Sequence, residues 1–405
     1  MKISCVGGGP AGLYFSILMK RMDPSHEVTV YERRPAGSTY GWGVTYSNVL
    51  LGNLHSADPE SALAIQGSSV RWRRWVHVRD HDAMTAEYGD EGFGIERRAL
   101  LRILADQAVE LGVRVRYEQE IDDEGRLAGA DLVVAGDGVN STLRSRHPDH
   151  FGTEITTGRN LYLWLGTTKV LDAFTFVFKE TPHGWIWCYG YPYSTERSTC
   201  VVECAPDTWR GLGLDRASES GSLAALERIF AELLDGHPLI GRERSGSTAH
   251  WLNFRTVANR RWCRGNLVLV GDAAHTTHYS VGSGTSLALE DAAILAHALR
   301  VSPRIETALA RYERRARGRM RAAQRAARRS AQWYEDFPRY AGLPMPHLVR
   351  LLSMRHSRLL PHVPPELYYR LDEAADRTVG RIVRSVSRAV SRNAPAGHQE
   401  RTPAR

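Results

Sequence analysis

The sequence is poor in cysteine. Cys5, Cys188, Cys200, Cys204 and Cys263 are an odd five among 405 residues, with no CxxC pair. This excludes a zinc ribbon or a disulfide framework and fits a reducing cytoplasm. No apolar run reaches the roughly 18 residues that a membrane-spanning helix needs. The apolar Ile3–Val6 flows into glycines instead of a cleavage site, so no secretory signal is expected. Standard nucleic-acid-binding motifs and internal repeats are missing as well. His275 and His278 have ligand-like spacing but no third partner at a sensible distance, so no metal site is expected.

What remains is an ordinary globular composition, 42% hydrophobic and 24% charged, which can build a large core. The net charge of +8 calls for an anionic cofactor or substrate. Nine arginines lie between Arg311 and Arg329, with alanines at helical spacing. That pattern reads first as the solvated face of a long helix.

Lys2–Val6, Pro10–Arg21 and His26–Tyr31 read as a βαβ start. The region from about Gly37 to Gly94 shows weak periodicity. Arg97–Leu111 reads as a helix, and Val113–Tyr117 and Asp131–Ala135 as strands. Leu161–Leu165, Phe174–Phe178, Trp185–Tyr191 and Thr199–Glu203 are aromatic and β-branched runs separated by turns, the pattern of an antiparallel sheet. A helix near Ser222–Leu234, a buried strand at Asn266–Val270 and a helix from Thr285 to Leu299 follow. The expected fold is therefore α/β: a Rossmann-like cofactor-binding domain, an inserted mixed or antiparallel β-sheet substrate domain, and a helical C-terminus. The cofactor domain is assigned to residues 1–70, 96–158 and 262–330, and the substrate domain to 71–95 and 159–261. A C-terminal helical region takes 331–392, with an amphipathic stripe at Val379, Ile382, Val383, Val386 and Val390, and a disordered tail 393–405.

Gly7-Gly8-Gly9-Pro10-Ala11-Gly12 is a GxGxxG between a strand and a helix. Gly7 permits the turn, Gly9 lets a pyrophosphate approach, and Gly12 lets helix and strand pack closely. Glu32, twenty residues on, stands where a ribose diol is held and disfavours a 2′-phosphate. FAD or NAD, not NADP, suits this pocket. A second constellation favours FAD: a buried strand runs into Gly271-Asp272-Ala-Ala-His275, and Gly282-Ser283-Gly284 precedes a helix. A carboxylate at the strand end can hold a ribityl hydroxyl, and the helix start can offer N–H groups to phosphate or the flavin edge.

These motifs, with Asp137-Gly138, resemble the single-component flavoprotein aromatic hydroxylases related to p-hydroxybenzoate hydroxylase. The resemblance is closer to the branch with salicylyl-CoA 5-hydroxylase and the hydroxylase part of anthraniloyl-CoA monooxygenase. It runs through Gly41–Val44, Gly158–Thr167, Phe174–Phe176, His183–Trp185, His278–Thr285 and Gln324–Tyr340. The violacein-pathway tryptophan hydroxylase is similar at a greater distance. Tyr279 replaces the family's common proline, and Ser286 its usual asparagine.

The resemblance implies FAD as cofactor and NADH or NADPH and O₂ as co-substrates, with a flavin C4a-hydroperoxide delivering oxygen to an electron-rich ring. It adds Arg33, Trp42, Gly43, Arg97 and Asp137 to the cofactor residues. His278 and Tyr279 are the candidates for catalysis. Tyr46, Trp185, Trp187 and Tyr189 are the candidates for holding substrate. Trp185, Trp187, Tyr189 and Tyr191 alternate on one strand face, which reads either as sheet core or as a pocket wall. The implied substrate is an aryl-CoA thioester, salicylyl-CoA passing to gentisyl-CoA. The alternatives are a free aromatic such as tryptophan, indole or anthranilate, and a flavin-binding regulator that docks nucleic acid through its Arg-rich helix.

Overall fold

The computed structural model describes residues 1–38, 41–241 and 251–375. The stripe expected at Val379–Val390 and the tail at 393–405 lie outside the described residues.

A six-stranded sheet begins with Lys2–Val6, an apolar strand buried on both faces as a parallel sheet demands. It pairs in parallel with Glu27–Tyr31 on one side and Leu132–Ala135 on the other. Arg114–Arg116 and Leu267–Leu269 extend the sheet in parallel, and Cys263–Arg264 closes it antiparallel. Helices Pro10–Met22, Arg97–Glu110 and Gly284–Arg300 cover it, with Leu13, Phe15 and Ile17 almost wholly buried.

The second sheet has nine strands, in the order Leu239–Ile240, Thr153–Thr167, Ser198–Cys204, Gly184–Pro192, Phe174–Thr181, Val70–Arg79, Asp82–Glu96 and Gly43–Ser47. Leu252–Asn259 pairs with Thr153–Thr167 off this path. All pairings are antiparallel except that of Val70–Arg79 with Phe174–Thr181. The weakly periodic stretch before Gly94 thus holds two long strands and the helices Asn48–Ala57 and Pro59–Gly67. Its pattern is blurred because Val70–Arg79 mixes buried and exposed positions without alternation. The division expected near residue 70 also shifts: Gly43–Ser47 pairs with Asp82–Glu96 and so belongs to the large sheet.

Helix Ile305–Glu335 is about 46 Å long at 1.5 Å per residue. It buries Leu309, Tyr312, Ala316, Met320, Gln324, Ala327, Ser330 and Trp333, a run at three- and four-residue spacing, and turns most of its arginines outward. Its end carries Phe337, fully buried and stacked on Phe178 at 4.4 Å, so the C-terminal helices pack against the large sheet. Truncating that ring removes a buried contact between two units. Phe337→Ala should cost about 3–5 kcal/mol, seen as a lowered urea midpoint with an unchanged slope.

Candidate active site

Four strand ends of the parallel sheet deliver the expected cofactor residues to one edge. Gly7 follows Lys2–Val6, Glu32 follows Glu27–Tyr31, Gly136-Asp137 follows Leu132–Ala135, and Gly271-Asp272 follows Leu267–Leu269. Ligands of open α/β sheets bind at this carboxyl edge. Gly7 has φ +108°, and a Cβ there would lie 2.3 Å from the Gly136 carbonyl oxygen. A Cβ on Gly12 would meet the Gly7 carbonyl oxygen at the same distance. At Gly9, Gly138 and Gly284 an added Cβ meets open space.

Two helices aim their starts at this region. Pro10–Met22 begins at Gly9 and Gly284–Arg300 at Ser283, and neither has a side-chain cap. Their first N–H groups are therefore available to an anionic ligand. Glu32 accepts from the Gly8 N–H at 2.8 Å and the Arg34 N–H at 3.0 Å, which fixes its carboxylate beside the glycine turn. Asp137 accepts from the Thr142 N–H at 2.8 Å through one oxygen, while its buried other oxygen, Oδ1, has no protein partner. Burial pushes the Asp137 carboxyl up. Asp272 is raised likewise by the protein around it, opposed by His275 and by the deep Arg97 guanidinium. Glycines opening onto free space, two uncapped helix starts and an orphaned carboxylate oxygen fit an extended dinucleotide such as FAD. Arg33 stands apart, half-exposed and 3.7 Å from Glu120.

His275 and His278 turn to separate partners. His275 Nε2 meets Asp291 Oδ2 at 2.6 Å. His278 Nδ1 takes the Ser280 hydroxyl at 2.8 Å and faces its N–H at 3.3 Å, capping the short turn Tyr279–Val281. Burial holds the His278 imidazole down at about 3, so it is neutral near pH 7. Gly282 has φ +60°, which lets the chain turn from this segment into the helix. The Ser283 hydroxyl lies 3.2 Å from that of Thr277.

The Trp42–Gly43 loop is fastened to the large sheet. Trp42 packs on Gly166 and accepts the Arg97 N–H through its carbonyl, while the Gly43 N–H donates to Thr199 and its carbonyl accepts from Tyr191. The tryptophan–tyrosine face of Gly184–Pro192 divides in two. Tyr189 and Tyr191 join Trp72, Phe174, Phe176, Tyr162 and Tyr279 in an aromatic wall. Trp185 and Trp187 instead pack on Phe337, with Trp187 also on Tyr334. These two lie in the cluster under the C-terminal helices and not in the wall around Tyr279. Tyr46 stacks on Phe93 at 5.1 Å, bonds Ser69, and belongs to the cofactor-side core.

Sequence reasoning passed over Glu203. It is 1% exposed, accepts from the Tyr279 hydroxyl at 2.6 Å and from the Asn160 amide at 2.8 Å, and is pushed by burial up to about 7. An acid in the otherwise uncharged strand Ser198–Cys204 was the available signal. A cavity of about 420 Å³ adjoins this region, lined in part by Arg159, Phe254, His278, Gln324, Arg328 and Glu335.

The FAD-binding-domain family model matches residues 81–330. This chain belongs to the FAD-dependent aromatic monooxygenases. It is 38% identical to salicyloyl-CoA 5-hydroxylase of Streptomyces sp over 349 residues, 84% of this chain but 66% of that enzyme's length. It is 36% identical to 3-hydroxy-4-methyl-anthranilyl-[aryl-carrier protein] 5-monooxygenase of Streptosporangium sibiricum, over 89% of this chain and 95% of the relative. The fold matches a mutant form of 2-methyl-3-hydroxypyridine-5-carboxylic acid oxygenase, with a TM-score of 0.69 at 20% identity, covering 84% of this chain and 93% of that one. This family works with FAD, O₂ and a reduced nicotinamide co-substrate. No helix among the described residues is long and apolar enough to cross a membrane.

Two outcomes follow from the site. Gly12→Ala should destabilise the protein whether or not FAD is present, because the clash is with backbone. Gly9→Ala, at φ −81° and beside open space, should keep the apoprotein's melting temperature yet lose bound flavin; both are read by thermal melts and flavin content. The second concerns pH. The unfolded chain protonates a histidine below its ordinary 6.5 whereas folded His278 does so only near 3, so this group makes stability fall as pH drops from 6.5. His278→Asn should flatten that part of the slope in urea titrations at neutral and mildly acid pH.

Proposed function

We propose that the protein hydroxylates an aromatic ring carried as a CoA thioester, with salicylyl-CoA to gentisyl-CoA as the leading reaction. The observation that carries this is the cavity of about 420 Å³ beside Tyr279. Phe254 and His278 line it, and both pack on the Tyr279 ring, at 5.7 and 4.1 Å. It therefore adjoins the aromatic wall, where a ring would lie, and continues to the exposed Arg159 and Arg328, which suit an anionic arm. Two similar enzymes are named for thioester-borne rings, one on CoA and one on a carrier protein, which supports the same class.

In this reading the glycine turn, Glu32, Asp137, Asp272, Arg97 and the two helix starts hold FAD, which supplies the oxygen-transfer chemistry when bound. Trp42, Gly43, Gly282, Ser283 and Gly284 shape the loops around it. The aromatic wall orients the ring and excludes water. Arg33 and His278 are left with supporting tasks.

The test is nicotinamide oxidation with product analysis on salicylyl-CoA, anthraniloyl-CoA, salicylate and tryptophan. Hydroxylated product from a CoA thioester alone is expected. Arg328→Ala should then raise KM for the thioester about tenfold, the loss of one charged hydrogen bond, with kcat little changed. Turnover of a free acid or an indole would remove the thioester and leave a free-ring hydroxylase.

A further inference from the structure

Glu203 is an expensive residue to place where it is. A carboxylate 1% exposed within an aromatic wall is costly unless its charge is bonded, and a leucine could fill the same strand position. Both of its oxygens are engaged, Oε2 by the Tyr279 hydroxyl at 2.6 Å and Oε1 by the Asn160 amide at 2.8 Å. Glu203 is sealed, whereas Tyr279 is only half-buried. Its ring packs on Phe254 and His278, both of which line the neighbouring cavity, so Tyr279 stands between the closed carboxylate and that space. Tyr279 also lies on the turn between Asp272 and the Gly282–Gly284 helix start, which ties that link to the cofactor motif.

We propose that Glu203 is the terminal proton acceptor of the hydroxylation site, receiving through Tyr279 the proton of a ring hydroxyl on the aromatic substrate. The substrate O–H bond breaks and its proton goes to the Tyr279 Oη. In the same step the Tyr279 O–H proton passes to Glu203 Oε2. Tyr279 ends unchanged, Glu203 ends as a neutral acid, and the negative charge moves onto the ring, enriching the carbon to be attacked. This transfer needs no oxidant or reductant.

The neighbouring groups suit the direction of transfer. Tyr279 cannot act as the base by itself, because burial and the charge of Glu203 push its hydroxyl far up. Tyr162 lies cross-strand from Glu203. Tyr189, Cys204 and Tyr334 are each raised by burial first and by the Glu203 charge as well. Glu335, on the long helix, adds to the burial that lifts Glu203 to about 7. A carboxyl at that value is a better match to a phenol, near 10, than an ordinary glutamate near 4.3. His278, held neutral by burial and bonded to Ser280, is left out of the path.

The inference rests on the aromatic ring and on the family's chemistry, not on the thioester. The experiment uses the holoenzyme and its Glu203→Gln, Glu203→Asp and Tyr279→Phe variants, with every hydroxyl-bearing ring of the four-substrate panel that is turned over. The ratio of hydroxylated product to hydrogen peroxide is followed against pH. In the wild type this ratio should rise with pH through about 7. Glu203→Gln and Tyr279→Phe should abolish that limb and lower the ratio by about tenfold or more, while their flavin spectra and melting temperatures stay near wild type. Glu203→Asp should keep a limb. Should Glu203→Gln lose its flavin, Tyr279→Phe decides, because it cuts the relay and leaves the Asn160 bond in place. As a substrate-independent check, pH-difference infrared spectra should show a carboxyl band titrating near neutrality in the wild type and missing from Glu203→Gln. A limb that survives in Tyr279→Phe, a wild type with neither limb nor band, or turnover confined to rings without a hydroxyl overturns the proposal. Turnover of salicylate in place of salicylyl-CoA changes the proposed substrate and leaves this comparison intact.

Discussion

The cofactor site depends on one buried carboxylate. Asp291, 3% exposed on helix Gly284–Arg300, accepts the Gly271 N–H at 2.9 Å and binds His275 Nε2 at 2.6 Å through the same oxygen. This clamp ties the last parallel strand to the helix whose start is offered to an anion. Gly271 can take its position only at φ +58°, and a Cβ there would lie 3.3 Å from that of Ala11 and 3.5 Å from that of Ala288. Two motifs more than 250 residues apart in sequence are thereby pressed into one cradle. A buried charge with a paired histidine resists removal of either partner, since the remaining group would be left uncompensated.

The large sheet divides its labour along a single strand. Gly184–Pro192 sends Trp185 and Trp187 under the end of the long helix and keeps Tyr189 and Tyr191 for the wall beside Tyr279. The helix thus does two things at once. It closes the core at Phe337 and Trp333, and it lines the neighbouring cavity with Gln324 and Arg328. Gln324 also donates to the Val257 and Thr276 carbonyls, fastening the helix to the segment that carries His278 and Tyr279. Its outward arginines are chiefly a solvated face, as their spacing suggested.

Local chemistry made much of this legible in advance. GxGxxG, Glu32 and the Gly-Asp-Ala-Ala-His strand end carry their meaning in backbone geometry, and each requirement is met within a few residues of chain. The α/β order and the switch to an aromatic sheet could be read for the same reason, since periodicity is local. The segment before Gly94 was opaque because its strands are neither cleanly one-sided nor fully buried.

What the sequence alone determined is the cofactor class and the kind of fold, because turns, strand ends and helix starts are fixed by neighbours along the chain. Tertiary structure alone decided which aromatics pack under the C-terminal helices and which join the wall around Tyr279. It also decided that His278 caps a turn, and that Glu203, Tyr279 and Asn160 meet although they come from three separate segments. No spacing rule encodes that meeting. It arises from the register of antiparallel strands, which places Glu203 opposite Tyr162, and from the packing that lays the Tyr279 turn across them.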